Sequence, residues 1–326
     1  MTGNERVRAT INRQRRDRMP VYAWVRANLS EQIGERYGSV EALEDRYEFD
    51  LAHLFGGPDR YRGDELTELR EKRGGTIEPA DLLELELGDP DDEEGYEELR
   101  RDIAFYKEER GRFVYVQTPG VFEAHNRYFG IENHLMYLLL YPDDLRRVYA
   151  RQAEWTTRFA ANCLDLGIDM IHVSDDWGSQ RGLMFDPQLF ESLIAPYLEP
   201  VVDLVHQRGA FLSLHSDGNI EPALPVVQRL GFNVLHPWQE SAGMTYELYE
   251  TSYMDDFTLM GGIDVQTTLG FGDLDRVRRE VGGLIDRFSR GGLILCTTHF
   301  VQDHCSVDEL ESVLDFVHDR IRSRSG

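Results

Sequence analysis

Short apolar or β-rich runs recur along the chain at Val21–Val25, Phe49–Phe55, Phe113–Gln117, Met170–Ser174, Phe211–His215, Asn233–Pro237, Phe257–Gly261 and Leu293–Thr297. From the fourth run onward, each gap carries apolar residues at 3–4-residue steps, the pattern of a helix with one buried face. Gln188–Arg208 places Leu189, Leu193, Pro196, Tyr197 and Val201 this way, with Pro196 and Pro200 positioned to kink or interrupt it. Glu221–Leu230 repeats the pattern behind Pro222, a residue suited to a helix start. Leu274–Phe288 and Val307–Ile321 follow suit, and Ser306 with Glu309 predicts a capping box on the latter. Strand-helix alternation of this kind predicts an α/β fold, a (β/α)8 TIM barrel formed by residues 1–326 as a single domain. An open doubly wound sheet would need a Gly-rich phosphate turn after the first strand, where the chain instead reads Arg26-Ala-Asn-Leu. Gly56–Arg112 is longer than a strand-to-helix connection needs, which predicts a long insertion between strands 2 and 3. Its acidic run from Asp89 reads as a solvated loop leading into a helix, or as a lid over the barrel mouth.

The late runs share a polar signature at their ends. They finish in Ser174-Asp175-Asp176-Trp177, His215-Ser-Asp217-Gly218, His236-Pro-Trp238-Gln239-Glu240, Gly261-Gly262-Ile263-Asp264 and Thr297-Thr298-His299. Residues i and i+2 of a strand share a face, so His215 and Asp217 point the same way as their strand leaves the core. In a parallel barrel that end is where chemistry sits. Turn capping explains some Asp and Gly after strands, but not three histidines and a Glu at matching offsets.

Charge narrows the partners. Lys and Arg total 35 against 59 Asp and Glu, a net charge of −24, and Lys72 and Lys107 are the only lysines. A field of that sign repels phosphate backbones, which excludes nucleic acid as a natural partner. Carboxylates spread along the whole chain also suit a cytosol of high salt, where repulsion is screened and hydration keeps the protein in solution. Cys163, Cys296 and Cys305 form no CxxC pair and imply no disulfide framework. The N-terminus is charged, and no apolar run is long enough to span a membrane, so a cytoplasmic protein is expected.

Two chemistries suit the strand-end residues. His215, Asp217 and His299, with Glu240 as fourth ligand or second layer, form an N/O donor set of the kind that holds zinc or another divalent metal. Alternatively, Asp175, Asp176 or Asp217 binds a cationic or N–H-rich substrate while His299 donates a proton without metal. Of Asp175 and Asp176, alternation turns one toward the pocket and leaves the other to cap a helix. Trp177 and Trp238 are candidates for flat apolar walls. His53, His125, His134, His172, His206, His304 and His318 read as surface or core residues.

Taken together, the chain resembles the uroporphyrinogen decarboxylase superfamily, which also contains the zinc-dependent methylcobamide:coenzyme M methyltransferases. The likeness rests on Glu5-Arg-Val-Arg-Ala, Arg16-Asp-Arg-Met-Pro-Val, Asp175-Asp-Trp-Gly with Phe190-Glu-Ser-Leu-Ile-Ala-Pro-Tyr, His215-Ser-Asp-Gly-Asn, Gly261-Gly-Ile-Asp and Gly292-Leu-Ile-Leu-Cys-Thr-Thr-His299. It implies a barrel with its site at the C-terminal mouth, and a homodimer. The decarboxylases carry an Arg-Gln-Ala-Gly-Arg segment for substrate carboxylates and an Asp in Phe-Ser-Asp-Ile for pyrrole N–H groups. Here Arg26 stands alone, and Phe49-Asp50-Leu51 is a loose substitute. The methyltransferases hold zinc with His-x-Cys and a later Cys. This chain keeps His215 but has Asp217 and His299 at the cysteine positions, a harder donor set.

The resemblance therefore implies metal-assisted methyl or one-carbon transfer to or from a small molecule, with a corrinoid, a corrinoid protein or a small methyl donor. Asp176 and Asp264 would orient the substrate. The alternatives are decarboxylation of uroporphyrinogen or a related tetrapyrrole without cofactor, using Arg26, Asp50 or Asp176 and His299, and a non-catalytic tetrapyrrole or corrinoid binder.

Overall fold

A computed structural model describes residues 1–61 and 63–323. Its strands are β1 (Leu51–Leu54), β2 (Phe113–Pro119), β3 (Met170–Ser174), β4 (Gly178–Ser179), β5 (Gly182–Leu183), β6 (Phe211–His215), β7 (Val234–His236), β8 (Thr258–Ile263) and β9 (Leu293–Thr297). The apolar runs at β3, β6 and β9 keep the bounds read from sequence. Val21–Val25 departs from expectation. Only Val21 bridges in parallel to Leu295. The Val25 amide then turns back to the Ala23 carbonyl at 3.0 Å, which bends the chain out of the ladder. The architecture is α/β, with helices alternating with parallel strands.

The chain divides into two compact units. The first comprises Met1–His53, Tyr106–Val114 and the described chain from Asn233 onward. Here β7 pairs with β8 and β8 with β9, both parallel, with Ile263 opposite Thr297. The Asp50 amide continues to the Val21 carbonyl at 2.9 Å, and the Phe113 amide to the Asp50 carbonyl at 2.8 Å. The strands are buried on both faces and read as continuous apolar runs, as parallel strands covered by helices do. Helix Leu274–Arg287 is capped by Asp273 and buries Val277, Val281, Leu284 and Ile285. Helix Val307–Arg322 is capped by Ser306, which accepts the Glu309 amide at 3.1 Å. The expected capping box is only half formed, because the Glu309 carboxylate accepts the amides of Gly270 and Gly272 instead.

The second unit comprises Leu54–Phe105 and Tyr115–Phe232. Strands β2, β3 and β6 run parallel, with Pro119 opposite Ser174 and Ser174 opposite His215. The stretch Gln188–Arg208 breaks as its prolines require, into π-helical Phe190–Ile194, 3-10 Ala195–Tyr197 and α-helical Glu199–Gln207. The segment read as an insertion holds helices Gly63–Lys72, Pro79–Leu82 and Glu97–Ile103. Its acidic run leads into the last of these with its carboxylates exposed, but it is anchored at its start. The Trp155 indole N–H donates to the Gly88 carbonyl at 2.8 Å, Asn162 donates to the Pro90 carbonyl at 2.8 Å, and Arg158 pairs with Asp91 at 2.6 Å. All three donors project from helix Pro142–Asp165 and hold the start of the run, while Asp92, Glu93 and Glu94 are exposed and lead into helix Glu97–Ile103. Among the described residues, no helix is long and apolar enough to cross a membrane.

Candidate functional site

In the second unit the in-register ends of β3 and β6 bring polar side chains together. His215 is buried, and its Nε2 lies 3.8 Å from Asp176 Oδ1. A His215 ring nitrogen and an Asp217 carboxylate oxygen approach within 4.8 Å. The Asp176 carboxylate accepts the Asp217 backbone N–H at 2.7 Å, so the two loops fix each other. Gly218 makes the turn possible. It has φ +79°, and a Cβ there would meet the Ser179 backbone at 2.7 Å. Behind His215 stands His172, with ring centroids 5.9 Å apart and its Nδ1 2.6 Å from the Ser213 hydroxyl. Glu123 completes the cluster, accepting the Ser174 hydroxyl at 3.0 Å. Burial, reinforced by Asp176, pushes the Glu123 carboxyl above its usual range, so this cluster retains a proton more readily than a solvated glutamate would.

Asp175 and Asp176 divide as strand alternation predicts. Asp175 is fully buried and accepts the backbone amides of Val121 at 3.1 Å, Phe122 at 2.9 Å and Glu123 at 2.6 Å. Burial pushes it up to about 7, against the pull of those amides. The approach is so close that a Cβ on Gly120 would sit 2.2 Å from the Asp175 carboxyl carbon. Asp175 thus caps the Val121–Glu123 turn, and its oxygens are committed there instead of to a substrate. Trp177 is likewise a core residue, with no exposed surface and its ring 4.5 Å from Phe190, not a pocket wall.

The first unit presents its own strand ends. Trp24 is surrounded by His236 at 4.5 Å, His53 at 4.7 Å, Phe300 at 4.8 Å and His299 at 6.0 Å between centroids. His236 Nε2 donates to the Thr297 carbonyl at 3.1 Å, which fixes its tautomer. A cleft of about 440 Å³ brings together Trp238, Glu240 and Asp264, three residues singled out from sequence, with Tyr246 and Thr298. Asp264 accepts the Ser241 hydroxyl at 2.7 Å and the Gln266 amide at 2.7 Å.

Two further expected residues are occupied by the fold. Asp50 is 1 % exposed. It is paired with Arg6 and, at 2.7 Å, with Arg18, and it accepts the Val21 amide at 2.8 Å. Burial pushes its carboxyl up, against the opposing pull of Arg18 and Arg6. Arg26 pairs with Glu44 at 2.8 Å and Glu41 at 2.9 Å and donates to the Tyr106 hydroxyl. Both groups tie the N-terminal elements together, so neither is available as the substrate anchor expected from sequence. Conversely, sequence reasoning missed Glu123, His172 and Tyr246. His172 lies two residues before Ser174 on β3, so strand alternation could have placed it on the face of that residue. Glu123 and Tyr246 sit on helices and carry no such signal.

A family model described as uroporphyrinogen decarboxylase (URO-D) matches residues 124–320. Among solved structures, the chain is similar to a methyltransferase from Methanosarcina mazei, with TM-score 0.71 and 18% identity over 99% of each chain. At that identity the likeness speaks to the fold. A B12-independent methionine synthase from Shewanella sp. W3-18-1 is similar at TM-score 0.47 and 14% identity, over 69% of this chain and 67% of that one. No curated protein matches in sequence.

Proposed function

Since the chain belongs to the uroporphyrinogen decarboxylase family, we propose that it is a (β/α)8 enzyme of metal-assisted methyl or one-carbon transfer, acting on a small molecule with a corrinoid or small methyl donor. The observation that carries this reading is the donor pair at the end of β6, where a His215 nitrogen and an Asp217 oxygen lie within 4.8 Å. A buried imidazole beside a carboxylate is an N/O set that fits zinc or another divalent ion. Bound there, such an ion would lower the pKa of a coordinated water or thiol, or polarise a carbonyl. His299 enters as a further donor from the family resemblance, and the metal content of His299→Ala tests it separately.

The chain's own residues have definable parts in this chemistry. Asp176 faces His215 Nε2 and accepts the Asp217 amide, which orients both donors. Glu123, which accepts the Ser174 hydroxyl and whose carboxyl burial pushes above its usual range, would pass a proton to or from substrate. Tetrapyrrole decarboxylation is disfavoured by the fold's own ion pairs. A substrate with many carboxylates needs free guanidiniums, but Arg26 is spent on Glu41 and Glu44. Pyrrole nitrogens need a free carboxylate, but Asp50 is spent on Arg6 and Arg18. Metal analysis of the purified protein beside His215→Ala tests the proposal. Bound metal in the wild type that falls in the variant supports it, and a wild type without stoichiometric metal overturns it.

A further inference from the structure

The 440 Å³ cleft of the first unit lies just past three strand ends. Trp238 is two residues beyond β7, Asp264 follows β8, and Thr298 follows β9. Its volume falls in the range of small-molecule sites. At its base stands Tyr246, 6 % exposed, whose hydroxyl makes no hydrogen bond among the described residues. Tyr246 lines the cleft, so a phenol hydroxyl with no protein partner is open there to a hydrogen bond from a ligand.

The charges around it are unevenly satisfied. Arg287 lies 5.5 Å from the Tyr246 ring centroid, but both arms of its guanidinium bond Glu250, at 2.6 and 2.7 Å. Arg276 is paired with Glu280 at 2.7 Å. Asp264 accepts only neutral donors, and Glu240 is exposed with no ion pair among the described residues. The lining thus carries the carboxylates of Glu240, Asp264 and Glu280 against the guanidiniums of Arg276 and Arg287, both already paired with a glutamate. The field at the base is therefore negative, while Trp238 and Leu284 supply apolar wall. Water can satisfy a carboxylate, but an apolar wall beside it favours a ligand with both a cationic head and a hydrocarbon part.

We infer that this cleft binds a small organic ammonium compound, its N–H groups directed to Glu240 and the Tyr246 hydroxyl and its carbon skeleton laid against Trp238 and Leu284. The inference does not depend on the metal reading, because none of these residues belongs to the β6 donor pair.

Calorimetric titration with n-propylammonium, at ionic strength fixed with NaCl, tests it against propionate and 1-propanol as anionic and neutral comparators. The expected result is saturable binding of the ammonium alone. Glu240→Gln should weaken it about tenfold and Tyr246→Phe about threefold, as loss of a charged and a neutral hydrogen bond respectively. Glu240 is exposed, so Glu240→Gln leaves packing intact and decides the matter even if Tyr246→Phe fails to fold. Failure of propylammonium to saturate, equal binding by Glu240→Gln, or preferential binding of propionate or 1-propanol would overturn the inference.

Discussion

Substituting Asp175 separates two roles that a strand-end carboxylate can play. In the fold it accepts three backbone amides, from Val121, Phe122 and Glu123, at 3.1, 2.9 and 2.6 Å. Asp175→Ala leaves those buried donors unpaired, at about 1–3 kcal/mol each. Part of that is offset because the side chain no longer has to be buried, a cost visible in its upward shift to about 7. A net loss of about 3 kcal/mol follows, against about 1 kcal/mol for Asp175→Asn, which keeps one acceptor oxygen. Gly120→Ala should behave like Asp175→Ala, since its Cβ would lie 2.2 Å from the carboxyl carbon. Urea unfolding followed by circular dichroism, with the midpoint read at unchanged slope, measures all three. A loss under about 0.5 kcal/mol for Asp175→Ala would refute the capping role. It would return this residue to the list of substrate groups, especially if substrate binding fell while stability held.

Three other consequences are open to measurement. Burial lowers His134 to about 3 and, helped by Arg60 and His134, holds His125 well below its ordinary range. The unfolded chain takes up these protons near pH 6.5 while the folded chain refuses them, so stability present above pH 6.5 is lost as pH falls toward about 3. That amounts to about 2 kcal/mol per imidazole at pH 5. His134→Gln should flatten the stability slope between those values, and an unchanged slope contradicts this. Asp50→Ala should cost about 3–5 kcal/mol in urea by stranding Arg6 and Arg18, and a loss under about 1 kcal/mol would show that the pairs are replaceable. With a net charge of −24, the melting temperature should rise from dilute buffer to molar KCl as the screening length falls to about 3 Å. No rise rules out adaptation to high salt.

Strand content was highly legible because parallel strands buried on both faces leave uninterrupted apolar runs, and β3, β6 and β9 were bounded correctly on that signal alone. Val21–Val25 misled for the converse reason. An apolar run says that a segment is buried, not that its amides stay in a ladder, and the Val25 amide turns back on Ala23. The strand-end polar residues were legible by position, since each follows directly on an apolar run. Their individual duties were not. Asp175 and Asp176 are adjacent and chemically identical, and only the amides of Val121–Glu123, brought by β2, make one a cap. Arg26 and Asp50 entered as substrate anchors through the family resemblance, and the partners that occupy them, Glu44 and Arg6, are remote in sequence and gave no local sign. The exposure of the acidic run from Asp89 was legible, but no local pattern announces that Trp155, Arg158 and Asn162 anchor its start.

The most direct test of metal-assisted transfer is the metal content of the protein by mass spectrometry, after purification without chelator and exposure to zinc in a desalted buffer. The expected result is about one tightly held ion per chain, falling sharply in His215→Ala and in Asp217→Ala when both variants retain the wild-type melting transition. A wild type that holds no stoichiometric ion, or variants that hold as much as the wild type, would contradict it.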